Sequence, residues 1–76
     1  MPRYFFNHYS RDERSIDDEG VDLSGDAECS RLALESLGQM IIDGAGNGLE
    51  GDVVVEARDR EKTVLRVSAI VKRETL

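Results

Sequence analysis

The alternation of apolar and polar positions is clearest near the C-terminal end, where Leu65, Val67, Ala69 and Val71 fall on one side of an extended chain and Val64, Arg66, Ser68, Ile70 and Lys72 on the other. A period of two is that of a strand with one side against a core. Val53, Val55 and Ala57 alternate in the same way with Val54, Glu56 and Arg58, and the polar run Asp59 to Lys62 between the two segments predicts a hairpin. Tyr4 to Tyr9 forms an aromatic-rich run of high β-propensity. Tyr4, Phe6 and His8 share one side and Phe5, Asn7 and Tyr9 the other, so rings on both sides favour a central strand over an exposed edge.

Between these β halves the period changes. Ser15-Ile16 and Gly20-Val21-Asp22-Leu23 flank the acidic triplet Asp17-Asp18-Glu19, which predicts a short, irregular second strand with a bulge or tight bend at Gly20. Ser24-Gly25-Asp26 supplies the small polar residues that open a helix, with Asp26 and Glu28 placed against the positive end of its dipole. Cys29, Ala33, Leu37, Met40 and Ile41 then recur at helical spacing as one apolar stripe, Gly44 stops the helix, and Gly46, Gly48 and Gly51 predict a loop. The expected fold is α+β in the order β-β-α-β-β: one small, mainly antiparallel sheet of about four strands with one helix on one face.

Seventy-six residues make a single domain, 1–76, whose core is thin for its surface. The net charge of −6 disfavours nucleic acid and anionic lipid as partners, because both are bound by neutralising negative charge. Residues 53–76 differ from the rest: Arg58, Arg60, Lys62, Arg66, Lys72 and Arg73 outnumber Glu56, Asp59, Glu61 and Glu74 there, so the acidity lies in the first two thirds. One cysteine cannot form an internal disulfide, the start of the chain has no signal-peptide pattern, and no segment approaches a membrane span; the expected compartment is the cytoplasm.

A single helix covers one face of a sheet and leaves the other to meet something else. Val54, Val64 and Ile70, with Tyr4 and Phe6 from the first strand, are the expected interface on that open face, and a homodimer through it or through edge strands is the expected assembly.

Candidate chemistry is sparse. Asp17, Asp18, Glu19 and Asp22 lack the alternate-position ligands and distant glutamate of a calcium loop and read as a solvated acidic turn. With one histidine and one cysteine, no nitrogen–sulfur metal site can be assembled, and Cys29 on the apolar stripe reads as a small buried hydrophobe. His8 reads as a structural hydrogen-bonding residue. The glycines at 44–51 leave a helix and enter a strand, the reverse of a phosphate loop, and the aromatics of the first strand lack the basic surround of an RNA-stacking platform. No catalytic, cofactor-binding or metal-ligating residue is assigned, and no enzyme activity is expected.

Met1-Pro2-Arg3-Tyr4-Phe5-Phe6, then Asp17-Asp18-Glu19-Gly20-Val21-Asp22-Leu23, then the Ala- and Leu-rich helix and the Val-Leu-Arg-Val hairpin resemble, nearly end to end, the short bacterial proteins of domain-of-unknown-function family 6894. Arg60-Glu61-Lys62 replaces the Gly-containing turn of that family's hairpin, and Ser24-Gly25 its Pro-Asp-like helix opening. The resemblance implies the same element order and brings no activity, substrate or site with it. The arrangement also looks like the small acidic antitoxins of the HicB type, a likeness of fold alone, without their Pro-Gly-Cys segment. The expected function is a small noncatalytic binding or regulatory module acting through protein–protein contacts; the alternative is an antitoxin-like acidic partner of a small basic protein.

Overall fold

The computed structural model describes residues 1–76. The chain forms β1 (Arg3–Tyr9), β2 (Arg14–Ser15), β3 (Val21–Asp22), α1 (Asp26–Gly44), a short 3₁₀ turn (Ala45–Asn47), β4 (Gly51–Arg58) and β5 (Thr63–Val71). All strand pairs are antiparallel. The sheet order is β2-β1-β4-β5, and β3 pairs with β1 on the edge that β2 also uses, so the expected second strand is split into two pieces around the acidic triplet. The α+β architecture with one helix on an antiparallel sheet stands, with five strands in place of about four.

The hairpin forms where its polar turn predicts. Asp59 N–H donates to the Lys62 carbonyl at 2.9 Å, and the N–H groups of Glu61 and Lys62 both donate to Asp59 Oδ1 at 2.8 Å. Pairing runs from Gly51 opposite Val71 to Ala57 opposite Leu65, then slips, so that Arg58 meets Thr63 and Val64 is the extra residue of a bulge.

At the helix start the sequence expectation needs correcting. Gly25 is the N-cap and no side chain caps the first turn. Glu28 instead reaches back to accept from the N–H of Ser24, the residue before the N-cap, at 3.0 Å, while Asp26 Oδ1 accepts from Tyr4 Oη at 2.7 Å and so ties the helix to β1. At the other end Gly44 is still helical, and the chain leaves through the 3₁₀ turn to Gly48, whose φ of 71° is left-handed.

Cys29, Ala33 and Leu37 are the buried helix residues, and they meet Val53, Val55 and Ala57 of β4, Tyr4 and Phe6 of β1, and Leu23. Val53, Val55 and Ala57 are fully excluded from solvent. Burying such a valine contributes about 1.5–3 kcal/mol, so the central strand carries much of the stability of this thin core. Leu65, Val67, Ala69 and Val71 pack around it half-buried, as edge-strand residues do.

Candidate functional site

Tyr4 and Phe6 do not lie on the open face. They are buried against the helix, 4% and 7% exposed, because β1 turns that side toward α1. Val64 also leaves the open face, since the bulge packs it against the core. Only Val54, half-buried, and Ile70, 67% exposed, are left of the five expected interface residues.

Register fills the rest of that face with polar groups. Phe5 lies opposite Arg58, Asn7 opposite Glu56 and then Arg66, and Tyr9 opposite Val54 and then Ser68. Arg66 Nη2 meets Glu56 Oε2 at 2.6 Å, Tyr9 Oη donates to Glu56 Oε1 at 3.4 Å, and the Arg58 guanidinium sits 4.5 Å from the centre of the Phe5 ring. The open face satisfies itself, and the expected apolar strip is absent from it.

The acidic triplet is not a solvated turn throughout. Asp17 fills the gap between β2 and β3. Tyr4 lies opposite Val21 and His8 opposite Ser15, and between them Phe6 N–H donates to Asp17 Oδ2 at 3.0 Å, so a carboxylate replaces the missing ladder carbonyl. Asp17 Oδ1 accepts from Glu19 and Gly20 N–H at 3.0 and 3.1 Å, its own N–H donates to Asn7 Oδ1 at 3.0 Å, and Arg58 Nη2 donates to its carbonyl at 3.0 Å. Partial burial pushes the Asp17 carboxyl up, but the N–H groups of Phe6, Gly20 and Glu19 together with Arg58 outweigh it and hold it below the usual carboxylate value. Gly20, at φ +76°, completes the loop: a Cβ there would stand 2.8 Å from Phe5 Cε2 and 2.9 Å from the Tyr4 carbonyl. Sequence reading missed this staple, whose signal is an aspartate three residues before a glycine between two short β-prone runs.

His8 lines a cleft of about 320 Å³ between the β1–β2 turn and the C-terminal part of α1, with Ser15, Arg11, Met40, Asp43 and Gly44 among its walls. Cys29 is in the core and not in this cleft, and burial, then the Asp26 charge, push its thiol pKa up, away from the nucleophilic form. The structure does not bring His8 and the only thiol to one site. No group of three His, Cys, Asp or Glu side chains converges in metal-binding fashion.

The two edges of the sheet differ. β1's outer edge is covered by β2, the Asp17 staple and β3, where Arg3 Nε binds Asp22 Oδ1 at 3.0 Å and Leu23 N–H donates to the Pro2 carbonyl at 3.0 Å. β5 pairs only with β4, leaving nine residues with an unpaired outer edge. Edges are ordinarily blunted by proline, several charges or short length. From Leu65 to Val71 the strand has no proline, and its single charge, Arg66, is already paired with Glu56.

The sequence profile described as a domain of unknown function (DUF6894) matches residues 3–70. The chain belongs to this family. The DUF6894 match spans β1 through all but the last residue of β5, so it contains the Asp17 staple, Gly20, the helix and the open edge. No curated protein and no solved structure matches the chain. No helix of this DUF6894 protein is long and apolar enough to cross a membrane.

Proposed function

We propose that this DUF6894 chain is a noncatalytic binding module that works through protein–protein contact, with the outer edge of β5 as its docking surface. The observation that carries the reading is the contrast between the edges: one is closed by two short strands and a carboxylate, the other is left long, apolar and unpaired. Unpaired N–H and C=O groups along a strand are a template for another strand, and main-chain hydrogen bonds then supply affinity while alternate side chains supply selection. The basic residues around this edge, Lys62, Arg66, Lys72 and Arg73, argue against an antitoxin-like grip on a small basic protein here, since like charges oppose such an encounter.

The test is affinity capture at low salt from the source cell, with mass spectrometry, comparing wild type with Ser68→Lys, which adds a charge to the exposed middle of the edge strand. The reading expects a bound protein, this chain or another, that the variant loses. Equal capture by both forms contradicts it.

A further inference from the structure

Charge is divided unevenly between the open edge and the rest of the molecule. Residues 62–73, which are β5 with one residue before it and two after, hold Lys62, Arg66, Lys72 and Arg73 and no carboxylate, in a chain whose net charge is −6. Arg66 is bonded to Glu56. Lys62, Lys72 and Arg73 are exposed and take part in no ion pair, although Asp52, opposite Ile70, stands beside Lys72 in register. Asp59, the carboxylate nearest Lys62 on the turn, faces into the hairpin and accepts from the N–H groups of Glu61 and Lys62. Past the two ends Arg60 balances Glu61, and Glu74 follows Arg73. The unpaired edge is therefore an apolar strand with free cations at both ends.

We propose that the β5 edge takes an extended acidic segment of a different protein, as long as Leu65–Val71, alternating apolar and small polar residues and carrying carboxylates at both ends. The proposal rests on the reading of β5 as a docking edge and names the chemistry of its occupant. Cations at both ends suit such a segment whichever way it runs along β5. A second copy pairing β5 with β5 would bring the same four cations to this edge, so the charge selects a different chain.

The strand itself selects a peptide over other anions. Its outer edge presents both N–H and C=O groups, and a peptide pairs with both, whereas a phosphodiester backbone only accepts and would leave the carbonyls unpaired. Leu65, Val67, Ala69 and Val71 are half-buried on the helix side, and alternate apolar residues of a guest strand would extend that cover. Arg66, Ser68 and Ile70 face the other way and are exposed, where small polar residues suit the guest. The net negative charge of the whole molecule does not forbid the encounter, because at physiological salt fields are screened beyond about 8 Å and the guest meets the cations at the edge first.

Fluorescence anisotropy with the full chain tests this, using labelled, end-blocked peptides that differ only at their ends: Glu-Glu-Ile-Thr-Val-Thr-Val-Thr-Ile-Glu-Glu, the same with glutamine for every glutamate, and the same with lysine. At about 0.15 M salt the glutamate peptide should bind at least ~10-fold more tightly than the glutamine peptide, and the lysine peptide more weakly than both. Lys62→Glu combined with Lys72→Glu, at exposed positions, should abolish the preference for glutamate with an unchanged circular dichroism spectrum. Hydrogen exchange locates the peptide: those β5 amides that do not bond to β4 should slow when it binds. Equal binding of the glutamate and glutamine peptides, tightest binding of the lysine peptide, or a preference that survives Lys62→Glu/Lys72→Glu overturns the acidic occupant, and slowed β5 amides would in each case keep the docking edge. Tighter binding of a labelled oligothymidylate than of the glutamate peptide overturns it in favour of nucleic acid. No binding of any peptide at about 1 mM protein, or binding that leaves the β5 amides unchanged, also overturns the proposal; a cellular protein captured by wild type and lost on Ser68→Lys would then leave the docking edge standing.

Discussion

Replacing Asp17 isolates the device that closes one edge of the sheet. Alanine removes the acceptor for three backbone N–H groups. Glu19 is exposed and Gly20 half-buried, so water can take over there, but Phe6 is 7% exposed and its N–H has no other acceptor. A buried donor left unsatisfied costs about 1–3 kcal/mol and bonds to a charged acceptor are worth more than neutral ones, so Asp17→Ala should cost about 2–4 kcal/mol. A chain of this size has about 4–11 kcal/mol in total, which makes that loss severe, and for a small domain it corresponds to a melting point lowered by about 10–30 °C. Asp17→Asn is the sharper probe, because it keeps size and one oxygen but turns an NH₂ toward either Phe6 or the Glu19–Gly20 pair, donor against donor; its cost should be about 1–3 kcal/mol. Urea unfolding followed by circular dichroism measures both, with unchanged slope indicating an intact two-state transition. An Asp17→Asn protein within about 0.5 kcal/mol of wild type would refute the staple and return the segment to an ordinary solvated turn.

The same contacts set the pH response. Asp17, held down by its backbone donors against the opposing effect of burial, and Asp22, held down by its hydrogen bond to Arg3, have folded values below their ordinary 3.8, so their contribution is present above that pH and is lost as pH falls through it; acid titration of stability should show this, and Asp17→Asn should flatten the slope. Tyr4 runs the other way: the Asp26 hydrogen bond, with burial behind it, raises its phenol from 10.0 to about 12, so its stabilisation is present below pH 10 and lost as pH climbs toward 12. Ultraviolet titration of phenolate should place Tyr4 near 12 in wild type and move it down in Asp26→Ala; no movement would contradict the Tyr4–Asp26 bond. Gly20→Ala and Gly48→Ala both put alanine at positive φ, a strain of about 1–2 kcal/mol, but only the first also collides with Phe5 and the Tyr4 carbonyl, so thermal denaturation should rank Gly20→Ala clearly the more damaging.

How much of this was legible in the sequence follows from the range of the interactions. The β4–β5 hairpin, with its strict alternation and an Asp59 turn closed by neighbours, and the helix stripe Cys29–Ala33–Leu37 are local patterns, and both are realised. The two aromatic sides of β1 are equivalent to any period-two argument, and only the position of α1, pinned by Tyr4 and Asp26, decides that Tyr4 and Phe6 pack under the helix while Phe5 and Tyr9 take the other face, where Arg58 covers Phe5 and leaves it 8% exposed. Val64 is displaced by a bulge that depends on pairing register, which alternation alone does not encode. Asp17 stood in an acidic run whose composition suggested solvent, and its role arises from an amide eleven residues away.

Amide hydrogen exchange in dilute solution tests the two-edge account most directly. The Phe6 amide, bound to Asp17, should be protected, while those β5 amides that do not bond to β4 should exchange fast. Outward β5 amides as slow as those bonded to β4, or a Phe6 amide as fast as those of the exposed loops, would contradict it.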